Sequence, residues 1–283
     1  SSSRPPIPLP EILVASEFLS PGDIPVDNTT LSGKTALYIS LDGNDSNSGL
    51  LITAPKRHLG AAIEYANSRP AVSFIIYLRE GIYYRLSRYE YQKIERGDLE
   101  ISSFPGEEAI IRPDIWPTDP STWGEEVLFY SDLPLENLTI SGLTLEGWST
   151  PFFFGTGFVD PPIRNLVIKN ISARDFKKRG PNFISGFFST NYIARGYFSE
   201  RDFDPDDPGI KYQIEGLILS DIRIEGADMP INIGDEDDAN VKGLRISAVE
   251  VRNPPSGTGS TAVDGFAVVN SSKVLIDNCV IEN

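Results

Sequence analysis

Three acidic segments and two aromatic ones hold the residues of this chain best suited to chemistry. Gly234 to Asn240, GDEDDAN, sets Asp235, Glu236, Asp237 and Asp238 on one tight turn. Asp235 and Asp237 could hold a calcium ion there through carboxylate oxygens, although charge runs usually do no more than stay solvated. Arg201 to Gly209, RDFDPDDPG, places Asp202, Asp204 and Asp206 at alternate positions. That imitates the start of a calcium loop, but the sixth-place glycine and twelfth-place glutamate are missing. Asp264 stands before Gly265, a pairing that is routine turn chemistry. The aromatic segments are Trp148 to Pro162 and Phe176 to Tyr212. Flat rings suit the apolar faces of pyranoses, so Trp148, Phe153, Phe187, Tyr192 and Tyr197 are predicted to bind carbohydrate. The competing readings bury these rings against the body of the protein or use them at a protein interface.

Other chemistries are excluded or weak. His58 is the only histidine, which removes Ser-His-Asp hydrolysis and multi-histidine zinc sites; a structural role is expected for it. Cys279 is the only cysteine, so no intrachain disulfide forms, and a buried, inert thiol is the expectation. Lys177 and Lys178 could reach an acidic substrate, but most such pairs are merely solvated. A net charge of −15 disfavours nucleic acid, whose phosphates need lysine and arginine. No apolar run approaches the length of about 18 residues that suggests a membrane span.

The elements that must position these residues repeat. Leu135–Gly147, Ile163–Asp175, Ile214–Gly226, Val241–Asn253 and Ser271–Asn283 each write an alternating apolar run, a polar break and a second run. Asn137, Asn165, Gly216, Gly243 and Lys273 hold one column, with steps of 28, 51, 27 and 30 residues. The long step is two ordinary steps, or one step with a loop inserted. Period-two alternation is strand patterning, and units of this length with several short strands read as a parallel β-solenoid. Ahead of the repeats, Pro55–Ser68 is predicted to form an amphipathic helix with Leu59, Ala62, Ile63 and Ala66 on one face, closing the first coil against water.

The stretches YISLDGNDSNSG, APKRHLGAAIEYA, IIYLREGIYY and ISSFPGEEAIIRPD, within Tyr38 to Asp114, resemble the front end of secreted, right-handed parallel β-helix proteins of the pectate-lyase-like superfamily. They are most similar to family-nine polysaccharide lyases. The resemblance is close over roughly 75 residues and loose beyond them. It implies an all-β fold, a right-handed parallel β-helix with a short N-terminal capping helix. It also implies β-elimination on an acidic polysaccharide, with Ca2+ neutralising the uronate and a lysine as base. Asp264, in Asp264-Gly265-Phe266, matches the first of the family's calcium segments. The partner aspartates and the base would fall past Asn283, so the resemblance implies half of a site, or none, in this chain.

The resulting layout is an extended, Pro-rich arm over residues 1–33 and a β-helix domain over 34–283, with long loops at 148–162 and 176–212. Three functions fit: a secreted or cell-surface protein that binds or cleaves an acidic polysaccharide, a non-catalytic carbohydrate-binding β-helix, or a self-assembling filament subunit. The last follows from the final repeat. Its inward side chains would face water, so either further coils follow Asn283, as the resemblance implies, or another subunit covers the bare sheet edge, with strand Ile12–Leu19 of the arm available to do so. Asn-x-Ser/Thr sequons at Asn28, Asn44, Asn137, Asn170 and Asn270 fit secretion, though the same residues also serve turns.

Overall fold

The computed structural model describes residues 33–85, 92–113, 127–131, 133–154, 162–176, 185–190, 212–233, 239–252, 266–268 and 271–282. The first strand of each coil stacks in the order β1 (Thr35–Ile39), β2 (Phe74–Leu78), β5 (Leu99–Ser103), β8 (Glu136–Ser141), β11 (Ile163–Arg174), β13 (Tyr212–Glu225), β15 (Ala239–Arg252) and β17 (Ser272–Asp277). A second face pairs β3 (Gly81–Arg85), β6 (Ala109–Pro113) and β9 (Leu143–Glu146), continues through the second halves of β11, β13 and β15, and ends on β18 (Val280–Glu282). A third holds β4 (Gln92–Lys93), β7 (Phe129–Ser131), β10 (Phe152–Phe154), β12 (Phe188–Ser189), β14 (Ile231–Ile233) and β16 (Phe266–Val268). The strands of all three faces pair in parallel. The chain is a parallel β-helix.

Register shows what drives the stacking. One inward column reads Leu37, Ile76, Ile101, Ile140, Ile168, Leu219, Ile246 and Ile276. Each member between the two ends of the column lies between like side chains about 4.8 Å above and below, so aliphatic surface meets aliphatic surface from coil to coil. All are fully buried except Ile276, which is 42% exposed. In the last described coil, Val280 and Ile281 are open as well, and Cys279 is half-buried. Burial pushes the Cys279 thiol above its ordinary pKa, so it is weakly nucleophilic.

The 51-residue step is one coil with an insertion, because β11 pairs directly with β13. Both predicted loops also hold a strand of the third face: β10 lies within 148–162 and β12 within 176–212. The sequence hid β10 because three consecutive phenylalanines carry no alternation, and β12 because it is only two residues long.

The cap forms as the apolar spacing requires. Helix α1 spans Leu59–Asn67, and Leu59, Ala62, Ile63 and Ala66 are its buried residues. His58 is the N-cap but gives no side-chain cap. Asp45 does that work instead, accepting from the backbone N–H groups of Arg57 (3.0 Å) and His58 (2.9 Å) and from His58 Nδ1 (2.5 Å). Burial acts to raise the Asp45 carboxyl, but these bonds outweigh it and leave it below the ordinary carboxylate range. At the other end, the buried Arg96 guanidinium donates to the Ala66 and Arg69 carbonyls, where a cation favours the helix dipole. No helix among the described residues is long and apolar enough to cross a membrane. The arm, including Ile12–Leu19, lies outside the described residues.

Candidate functional site

From the coil of β5 onward, the first corner turns on single residues in the left-handed region, and later corners use the same device. The first corner is Asp98, Asn137, Asn165, Gly216, Gly243 and Lys273, with φ between 48° and 80°. Five residues on, a second corner runs through Gly142, Asn170, Asp221, Ala248 and Asn278, with φ between 51° and 65°. Five further on, Gly147, Asp175 and Gly226 make a third. Left-handed φ costs an ordinary residue about 1–2 kcal/mol and costs Gly, Asn and Asp less. That explains why these residue types recur at every fifth place. The backbone turns β11, β13 and β15 around the second corner without leaving the sheet.

The first corner closes on itself. Asn165 Nδ2 donates to Asn137 Oδ1 at 2.9 Å, and Asn137 Nδ2 donates to Asp98 Oδ1 at 2.9 Å. The second corner does not close. Asn170 and Asp221 are exposed there, and among the described residues neither side chain has a hydrogen-bond or ion-pair partner. They sit in an open groove of about 410 Å³ that crosses four coils. Gly142, Asn170, Asp221 and Ala248 form one edge, and Thr144, Ser172, Arg223 and Glu250 the other.

The second edge is one register column, since Thr144 pairs with Ser172, Ser172 with Arg223, and Arg223 with Glu250. Thr144 Oγ1 donates to Glu108 at 3.1 Å. Arg223 Nε donates to Glu250 at 2.9 Å, and Arg252 reaches the same carboxylate. The bond from Arg223 is the largest effect on Glu250; burial opposes it, and the bond from Arg252 adds to it, so the carboxyl lies below its ordinary pKa. Two residues farther along the face, Arg112 and Arg174 share Glu146. Burial acts to raise that carboxyl, and the two guanidiniums bring it below the ordinary range. The flank is therefore a ladder in which each of two carboxylates is shared by two guanidiniums.

The residues expected to bind sugar or metal fall elsewhere. Trp148 is 1% exposed, with Nε1 donating to the Ile111 carbonyl at 2.9 Å. Phe187 is fully buried against Phe152, at 4.9 Å between ring centroids. Phe153 points away from Phe152 and Phe154 along β10, yet it is only 5% exposed and stacks on Tyr130 at 6.0 Å. These three rings are packing residues with no face left for a pyranose, which corrects the reading from their type alone. Tyr192, Tyr197, Asp235, Asp237 and Asp264 lie outside the described residues, as do Lys177 and Lys178. Among the described residues, no three or more His, Cys, Asp or Glu side chains converge on a metal position. Asn170 and Asp221 were legible as turn residues, since each stands five places after a member of the first column.

No protein-family model matches the sequence. No curated protein matches it significantly. The chain is similar to two solved structures. Against rhamnogalacturonan lyase the TM-score is 0.40 at 14% identity, covering 87% of this chain and 62% of that one. Against pectate lyase Pel9A it is 0.45 at 12% identity, covering 85% and 79%. The chain thus spans less than two thirds of the rhamnogalacturonan lyase. Neither likeness bears on activity, and the β-helix architecture stands on the strand pairing itself.

Proposed function

We propose that the protein binds a polysaccharide laid along the second-corner groove, parallel to the solenoid axis. The observation that carries this reading is the pair of exposed polar groups at that corner, Asn170 and Asp221, which have no partner among the described residues. Asn170 offers an amide that donates and accepts, and Asp221 offers a carboxylate that accepts hydroxyl protons. Asn170 and Asp221 lie on adjacent coils about 4.8 Å apart along the axis, and Ser172 faces them from the other edge. A polymer whose hydroxyls also repeat along a line can satisfy several such groups at once, which a small solute cannot. Structural polysaccharides of this kind lie largely outside cells, and on this reading the protein is secreted or held at the cell surface.

We assign binding rather than cleavage to this groove. β-Elimination needs a base above the sugar. Among the described groove residues the only cationic side chain is Arg223, and Glu250 holds it.

The test is affinity electrophoresis of the 283-residue chain through gels containing soluble plant polysaccharides, beside Asn170→Gly and Asp221→Asn. Both substitutions place a residue that tolerates left-handed φ, so the corner survives. Retardation by at least one polysaccharide, lost in both variants, is the expected result. Equal retardation of the variants and the parent would overturn the assignment.

A further inference from the structure

The charges around the groove decide what kind of glycan it would take, an inference that rests on the binding reading above. A chain of uronates brings one carboxylate per sugar, and each is held best by a free cation or a bridging metal. Arg223 spends its Nε on Glu250, and Arg252 is bound to that carboxylate too. Next along the same face, Arg112 and Arg174 are both committed to Glu146. The one formal charge in the groove with no partner among the described residues is negative, on Asp221. Beyond the groove, the chain as a whole carries −15. A polyanion would meet an uncompensated carboxylate at the centre of its path, in the field of an acidic protein.

Hydroxyls meet the opposite situation. Asp221 can accept from two neighbouring hydroxyls, the Asn170 amide can both donate and accept, and Ser172 adds a hydroxyl from the facing edge. Hydrogen bonds to an ionised acceptor are about twice as strong as neutral ones, so Asp221 is the group best placed to discriminate.

We infer that the groove selects an uncharged, hydroxyl-rich polysaccharide and rejects polyuronates, with Asp221 as the residue that sets this choice.

The experiment measures affinity for linear galactan, xylan and mixed-linkage glucan, and for polygalacturonate with and without calcium. Each is titrated against the parent chain and Asp221→Asn at low and moderate salt. At least one neutral glycan should bind about tenfold or more tightly than polygalacturonate at low salt. Removing the negative charge should narrow that gap, because Asp221→Asn weakens the neutral glycan and relieves the repulsion. Added salt should narrow it as well, by screening. Polygalacturonate binding as tightly as any neutral glycan, with or without calcium, would overturn the inference while leaving a glycan groove in place. A preference for neutral glycans that Asp221→Asn leaves unchanged would overturn the role of Asp221. Failure of every glycan to bind would overturn the binding reading itself, and this inference with it.

Discussion

The first and second corners use the same backbone device and put it to different ends. Both turn the chain on one left-handed residue per coil. At the first, the side chains bond to one another, from Asn165 through Asn137 to Asp98. At the second, Gly142 and Ala248 flank Asn170 and Asp221, and no such ladder forms among the described residues. A corner that satisfies its own polar groups is finished as structure. One that leaves an amide and a carboxylate unpaired at a groove still has hydrogen bonds to make, and a ligand can make them.

The largest effect that separates the corners should come from closing space at the first. A Cβ on Gly97, just before Asp98, would lie 1.9 Å from the Glu136 carbonyl oxygen and 2.7 Å from its nitrogen. Backbone cannot yield there as a flexible side chain would, so Gly97→Ala should cost about 3 kcal/mol, read as a lower urea midpoint. Breaking the ladder comes next. Asn137→Ala removes two side-chain hydrogen bonds and puts a residue that disfavours the left-handed region at φ 61°, for about 2 kcal/mol. Asn137→Gly should recover the backbone part of that loss and not the rest, which chemical denaturation of the two variants would show.

Acid should reach the flank of the open corner through its carboxylates. Glu146 and Glu250 have folded pKa values below their ordinary ones. Each therefore adds stability that is full above the unfolded value, about 4.3, and is lost as pH falls through the depressed folded value. Thermal melts should show a midpoint that holds at mild acidity and drops below about pH 4. Glu250→Gln should flatten part of that drop. A smaller effect of opposite sign is expected at Ala248. It sits at φ 51° with a Cβ and no hydrogen-bonding side chain, so Ala248→Gly should raise stability by about 1 kcal/mol.

Much of the fold was readable beforehand, and the reasons are local. The apolar residues Leu59, Ala62, Ile63 and Ala66 recur at helical spacing, so the cap helix was visible. Asn137, Asn165, Gly216, Gly243 and Lys273 mark a turn that every coil must make, so the repeat was visible too. The five-residue offset to Asn170 and Asp221 was also written in the sequence. It was obscured because Gly142, Asn170, Asp221 and Ala248 share a φ angle, while their side-chain chemistry differs from coil to coil. The aromatic residues misled for a different reason. Trp148, Phe153 and Phe187 carry the residue types of a sugar platform, but whether a ring faces a sugar or another ring depends on the coil stacked beside it. Phe129 and Phe152, stacked at 5.6 Å between centroids, are neighbours across coils and far apart in the chain.

The central claim is that the second corner is built for a ligand and the first for stability. It is tested most directly by making the same substitution at both. Asn137→Gly and Asn170→Gly each remove one amide and leave a residue that accepts left-handed φ. Melting temperature and glycan affinity are then measured on each variant. Asn170→Gly should keep the parent midpoint to within roughly 2 °C and lose affinity by about tenfold, or 1.4 kcal/mol. Asn137→Gly should lower the midpoint and leave affinity alone. An Asn170→Gly protein that melts as low as Asn137→Gly, or binds glycan as well as the parent, would contradict the account.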